Sequence, residues 1–163
     1  MEYYPVPYRL DGKSRLLIHF QNDEDGVIVD GDNVMSFAAS PLLEAFARKR
    51  KVKLQASRPV LDFDAMLAWL RKPTSDPDCP SLYAAWNLLG DVATALGEGV
   101  TYPGYGRRYQ RLHEELLWGC NLPGAFNNGQ PYIPELSDYE MDMLHEVLLA
   151  GLRPLRERVK VHE

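Results

Sequence analysis

The spacing of apolar residues changes along this chain, from strand-like in its first third to helical in the remainder. Short or alternating apolar runs predict three strands, at residues 15–20, 26–29 and 33–38. Turn signals at residues 11–12 and 30–31 separate them, and the proline-rich opening is expected to be extended. Because the connections are only a few residues long, we expect an antiparallel sheet.

One helix, at residues 78–97, is more apolar than any other and is expected to lie at the centre of the core. Asp78 is suited to cap its start, Pro80 to its first turn and Gly97 to the left-handed position past its end. Its apolar residues recur at steps of three and four: Leu82, Ala85, Trp86, Leu89, Val92, Ala93 and Leu96. A helix that is apolar on most sides is covered on most sides.

Asn87 and Asp91 lie on the narrow polar strip of this helix, four residues apart, so their side chains are neighbours able to hydrogen-bond each other. One interpretation is structural, with the two residues tying a neighbouring loop to the helix. The other makes them an active-site pair or a partner contact. The structural interpretation is favoured, because a buried carboxylate needs partners and structural partners are commoner than catalytic ones.

Helical spacing predicts four further helices, at residues 40–51, 62–71, 107–118 and 137–150. Ser40 is expected to cap the first, and Ser137 with Glu140 forms a capping box for the last. Gly151 and Pro154 are expected to break or kink that last helix. Strands followed by helices indicate a single α+β domain. We therefore expect a small N-terminal antiparallel sheet and a bundle of four to five helices.

The composition is that of an ordinary globular protein, with 163 residues, 45% hydrophobic and 25% charged. No apolar run reaches the ~18 residues of a membrane span, and the N-terminus lacks the pattern of a secretory signal. Cys79 and Cys120 are not part of a C-x-x-C motif. We therefore expect two thiols in a reducing cytoplasm, without a disulfide framework or a zinc site.

Charge is unevenly distributed around a net value of −5. Residues 1–40 hold seven acidic and three basic residues, whereas residues 41–60 hold one acidic and six basic ones, including the block RKRKVK at residues 48–53. The net charge argues against general affinity for nucleic acid. An acidic surface can attract a basic partner and the basic block a polyanion, although a solvated face explains each run more simply.

No motif in the chain specifies a metal, a cofactor or a catalytic centre. Residues 21–32 match part of a calcium-loop pattern, but Gln21 and Asp32 occupy the positions of its first and last acids, and the flanks are strand-like. The four histidines, His19, His113, His145 and His162, lack metal-ligand spacing. The best enzymatic case pairs His113 or His145 with Asp91 or a glutamate. We accordingly expect no bound metal, no cofactor and no catalysis.

Aromatic residues are frequent in the predicted loops, among them Tyr102, Tyr105, Phe126 and Tyr132. Exposed tyrosines near arginines are typical of protein-binding surfaces, because they supply large contact areas at low entropic cost. The alternative is that they cover the core. Residues 120–135 are rich in proline and glycine, and long irregular segments of this kind are often functional.

The stretch LYAAWNLLGDVA, from residue 82 to residue 93, resembles a helix of small acidic immunity proteins of bacterial toxin systems. The likeness is carried by the spacing of Leu82, Trp86, Asn87, Leu88 and Asp91, after a predicted N-terminal sheet. The resemblance implies a protein without catalytic activity that neutralises a cognate toxin, often a basic nuclease, by covering its active site. The basic block at residues 48–53 departs from this acidic pattern.

Two functional hypotheses result. The first is a cytoplasmic, non-catalytic binding module of the immunity or inhibitor type, for a protein partner such as a basic toxin domain. Its contact residues are predicted to be Asp23, Glu24, Asp25, Asp30, Asp32, Tyr102, Tyr105 and Tyr132. The alternative is a small enzyme or ligand-binding domain with a cleft between sheet and helices, lined by Asn87, Asp91, His113 and Tyr109. Nucleic-acid contact through residues 48–53 is a less favoured third hypothesis.

Overall fold

The computed structural model describes residues 1–123 and 130–163 and has the expected α+β architecture. The strands are β1 Glu2–Leu10, β2 Lys13–Gln21, β3 Gly26–Val27, β4 Val29–Asp30, β5 Asn33–Phe37, β6 Leu61–Asp62 and β7 Val159–His162. The α-helices are α1 Ser40–Lys49, α2 Phe63–Arg71, α3 Cys79–Ala95, α4 Gln110–Trp118 and α5 Asp138–Glu157. Three short 3-10 turns connect α3 to α4. None of the described helices is both long and apolar enough to cross a lipid bilayer.

The sheet is mixed, which corrects the prediction of a purely antiparallel sheet. Its main path runs β4-β5-β2-β1-β6, with β3 beside β2 and β7 beside β5. The β1–β2 hairpin turns through Asp11 and Gly12, which both have left-handed backbone angles, φ 53° and 75°. However, β6 pairs in parallel with β1, and β7 pairs in parallel with β5. The last strand was not predicted, because its four residues pair with a strand from the other end of the chain.

Alternation along the strands directs side chains to two separate cores, one on each face of the sheet. Helix α1 covers one face, where Ile18, Met35, Phe37 and Leu43 form a small cluster. The other face, with Val6, Leu17 and Val34, belongs to the main core beneath helices α2 to α5. The sheet thus separates α1, and the basic block that begins in its last turn, from the helical bundle.

Helix α3 lies at the centre of the main core, as its pattern predicts. Asp78 caps it by accepting from the Ser81 N–H at 3.3 Å, and Gly97 follows its end at φ 76°. Trp86 is 1% exposed, and its Nε1 donates to the Gly104 carbonyl at 3.1 Å. The tryptophan side of the helix is therefore enclosed.

Helix α5 extends further than the sequence predicts. The capping box of Ser137 and Glu140 is present, but the helix continues through Gly151 and Pro154 to Glu157. Gly151 lets α5 approach α3 closely, since a Cβ there would lie 2.8 Å from Leu89 Cβ. Pro154 is itself buried, and it removes only one backbone hydrogen bond near the helix end. Tertiary packing therefore outweighs the helix-breaking tendency of both residues.

The start of α1 also differs from the prediction. Ser40 is the first helical residue, and the capping position belongs to Ala39, which offers no side-chain acceptor. The proline at the second position fits the first turn as expected. Basic residues in the last turn, Arg48 and Lys49, face the negative end of the helix dipole.

Candidate functional site

A cleft with a cavity of about 310 Å³ lies between β2, the segment that leads into β6, and the outer side of α3. Val6, Leu61 and Leu88 supply apolar wall. The polar side chains that line it come from elements distant in sequence: His19, Gln21, Asp25, Arg58, Asn87 and Asp91. A cavity with apolar walls and a few convergent polar groups is the usual form of a ligand site.

His19 and Asp91 form the polar contact at the base of the cleft. His19 occupies the same face of β2 as the buried Leu17, because side chains on one face repeat every second residue. This face is turned towards α3, where Asp91 lies on the polar strip. His19 Nε2 is 2.8 Å from Asp91 Oδ2, and the two side chains are only 12% and 19% exposed. Since a carboxylate only accepts, the imidazole Nε2–H donates in this contact.

Asp25 joins this pair from the exposed turn after β2. One potential ligand atom from each of His19, Asp25 and Asp91 lies within 4.8 Å of the other two. The prediction that the chain offers no metal ligands relied on spacing along the sequence. The fold brings His19, Asp25 and Asp91 together from a strand, a turn and a helix, and their spacing along the sequence does not reveal this.

Arg58 supplies the positive charge in the cleft wall, but it is already engaged. Its Nη2 donates to Gln21 Oε1 at 3.0 Å, and its guanidinium lies 3.9 Å from the centre of the Tyr4 ring. Stacking on a ring and donating to an amide fix the guanidinium in place. Arg58 and Gln21 were not predicted as site residues, because no local pattern marks them.

Asn87 and Asp91 do not bond each other, contrary to what their spacing suggests; each has a histidine as its partner. His113 Nε2 lies 2.8 Å from Asn87 Oδ1, and the imidazole stacks on Tyr83 and tilts against Trp86, with ring centres 4.9 and 5.2 Å away. Burial lowers the pKa of His113, so its imidazole is neutral at pH 7. The amide oxygen requires the proton to reside on Nε2.

The predicted four-residue cleft is therefore only half correct. Asn87 and Asp91 line the cavity, whereas His113 and Tyr109 are not among its lining residues. Tyr109 is buried, and burial together with a hydrogen bond to Glu146 raises its pKa. Asp91 pairs with His19 and not with His113 or His145 as the enzymatic hypothesis supposed.

The five predicted acidic contact residues divide into two groups. Asp23, Glu24 and Asp25 are exposed on the turn after β2, and Asp25 lines the cleft. Asp30 is bound to Lys160 at 2.6 Å, which lowers its pKa. Asp32 accepts from Arg158 Nε through its backbone carbonyl at 3.0 Å. Lys160 lies in β7 and Arg158 comes directly before it, so the end of the chain supplies the cations that contact the second group.

The three tyrosines predicted on the contact surface have different environments. Tyr102 is 4% exposed, and its hydroxyl donates to the Trp86 carbonyl at 2.8 Å, so its assignment to an exposed contact surface is wrong. Tyr105 is 54% exposed and lies edge-on to Tyr102. Tyr132 is half-buried, with its ring centre 6.2 Å from that of Trp118. Phe126 lies outside the described residues.

Comparison with known proteins adds no relative: no family model matches the chain, and no similar curated protein or solved structure was found.

Proposed function

We propose that the chain is a non-catalytic binding protein of the immunity or inhibitor type, which engages a basic protein partner through the acidic turn Asp23-Glu24-Asp25. The observation that carries this proposal is the position of the turn. All three carboxylates are exposed, and Asp25 lines an apolar-walled cleft. Within residues 1–123 and 130–163, no cationic side chain lies within 4 Å of them.

The chemistry of this surface suits lysine and arginine side chains of a partner. Their long apolar stems can lie along apolar surface while the charged heads meet carboxylates. Val60, which lines the cleft, is 59% exposed and offers such surface next to the turn. An acidic rim would also steer a basic domain during encounter.

The resemblance of the α3 segment to immunity proteins supports the same class of partner, a basic toxin domain. Three of its motif residues serve the scaffold: Leu82 and Trp86 are buried, and Asn87 is bound to His113. In this proposal the motif positions the sheet and its acidic turn, and the turn makes the contact. The proposed setting is the bacterial cytoplasm, where the free thiols Cys79 and Cys120 would stay reduced.

A charge-reversal experiment tests this proposal. The tagged full chain is tested for binding to the product of the neighbouring gene by co-purification and calorimetry. A D23K/E24K variant is expected to bind roughly 10- to 100-fold more weakly, because both charges oppose the partner. The matched control is D76K/E135K, which changes the same charge at exposed positions in the α2–α3 loop and before α5. Absence of a partner, or equal loss in both variants, contradicts the proposal.

A second candidate function is the binding of a small polar ligand in the cleft, favoured by the His19–Asp91 pair at its base. An imidazole that is oriented by a carboxylate and faces a cavity is an arrangement suited to proton transfer. Fragment screening by NMR tests this function. Shifts confined to resonances around His19, Asn87 and Asp91 support it, whereas no saturable shift there argues against it.

A further inference from the structure

We propose that His19, Asp25 and Asp91 form a binding site for a divalent transition-metal ion at the base of the cleft. The inference rests on the second candidate function, ligand binding in the cleft, and does not depend on partner binding. Its basis is that three side chains from β2, the following turn and α3 converge at one end of a cavity.

The distances between the three groups suit a metal ion after a small adjustment. Ligands about 2.1 Å from a tetrahedral ion lie roughly 3.4 Å from one another. The corresponding atoms here already lie within 4.8 Å, and His19 Nε2 and Asp91 Oδ2 are 2.8 Å apart. Asp25 can supply the remaining movement, because it is exposed on a turn and is not packed into the core.

Charge also favours a cation at this position. With a neutral imidazole, Asp25 and Asp91 bring two negative charges into close proximity, and their mutual repulsion is greater where water is partly excluded. The nearest positive side chain that lines the cavity, Arg58, is held by Gln21 and by the Tyr4 ring. A divalent ion would neutralise both carboxylates.

The type of ligand identifies the class of metal. One imidazole nitrogen with two carboxylates suits Zn²⁺ and similar first-row ions, whereas Ca²⁺ and Mg²⁺ prefer oxygen ligands alone. Three protein ligands leave at least one position free for water or a bound molecule. That position would face the cavity, so a metal here would take part in ligand binding and would not simply staple the fold.

The hydrogen bond between His19 and Asp91 competes with a metal ion at Nε2. In the metal-free protein the His19 Nε2–H donates to Asp91, so a metal ion bound at Nε2 requires that ring proton to move to Nδ1. A purely structural histidine–carboxylate contact predicts no saturable metal binding at any pH.

Calorimetric titration of the metal-stripped full chain with ZnCl₂ tests the inference. We expect one site per chain, weakened by roughly 10- to 100-fold or more in D25N and in D91N. Asp25 is exposed on its turn, so D25N should fold normally, as circular dichroism can check. The control variants are D23N, a neighbouring acid on the same turn, and C79S/C120S, which removes the thiols as alternative ligands.

The outcomes are decisive in both directions. Stoichiometric binding that is lost in D25N and kept in D23N and C79S/C120S supports the site. Absence of binding, or equal affinity in D25N and the parent chain, overturns it. Such a failure leaves fragment binding in the cleft and partner binding by the D23K/E24K test unaffected, so the three proposals are separable.

Discussion

Two histidine contacts on α3, one helical turn apart, have the same length but different surroundings. His113 meets Asn87 at 2.8 Å and packs against the rings of Tyr83 and Trp86, and His113 itself does not line the cleft. His19 meets Asp91 at 2.8 Å at the base of an open cleft. Geometry alone would make the two pairs equivalent. They differ in whether the histidine faces the cleft. We therefore interpret the His113–Asn87 contact as structural and the His19–Asp91 contact as part of a ligand site.

Substitution of Trp86 should have the largest effect on stability, because this buried ring packs against His113. Trp86→Ala is expected to destabilise the fold by about 3–5 kcal/mol, through the cavity it leaves and the lost contact with the Gly104 carbonyl. Urea unfolding measures this change. The control is Trp69→Ala on the half-buried flank of α2, which should cost clearly less. Equal losses would mean that α3 is not the centre of the core.

The two histidines themselves provide the next test. His113→Ala should cost about 2–3 kcal/mol, because it leaves a cavity where the imidazole packs against the rings of Tyr83 and Trp86 and also removes the contact with Asn87. His19→Ala should cost only about 1 kcal/mol, because water in the cleft can replace the lost donor to Asp91. Urea titrations of both variants at pH 7.5 measure the difference. A larger loss for His19→Ala would reverse our assignment.

Glu115, two residues beyond His113 on α4, gives a smaller effect that depends on pH. Burial and a hydrogen bond to Glu140 raise its pKa to about 6 from 4.5. The folded state therefore holds this proton more tightly than the unfolded state, so stability falls as the pH rises from about 4.5 to about 6 and remains lower above it. Glu115→Gln should then add about 1–2 kcal/mol at pH 7.

The same variant should give no gain at pH 4, where the carboxyl is already protonated. Thermal unfolding at several pH values measures this dependence. The lost contact with Arg111 is of little weight, because the arginine side chain is 81% exposed. A uniform gain or loss across the pH range would contradict the raised pKa.

The extent to which the fold was predictable depends on how local each signal is. Helix α3 follows from residues within its own length, namely the Asp78 cap, the apolar spacing and Gly97. Strand β7 could not be predicted in this way, because it forms by pairing with β5, which joins residue 34 to residue 159. The pattern of its own four residues does not reveal that pairing. The prediction that Pro154 would break or kink α5 was wrong for a related reason, since the packing that keeps it in the helix comes from other elements.

The candidate site was less predictable than the fold. The sequence identified Asn87 and Asp91 as polar residues in need of partners but could not supply those partners. Asp91 binds a histidine 72 positions earlier, and in the sequence His19 is only one of four histidines that lack metal-ligand spacing. The sequence predicts Asp25 as a partner contact and places it in an incomplete calcium-loop pattern, but it does not relate Asp25 to His19 or Asp91. Pairing across a sheet and a helix requires the tertiary structure.

The most direct test of the difference between the two histidine contacts is an NMR titration of the histidine side chains with ZnCl₂. Our account predicts that the His19 imidazole resonances shift and saturate at one equivalent, while those of His113 remain unchanged. The shifts should disappear in D25N and persist in D23N. Resonances of His113 that respond instead, or a His19 imidazole that does not respond, would contradict the assignment of chemistry to the cleft.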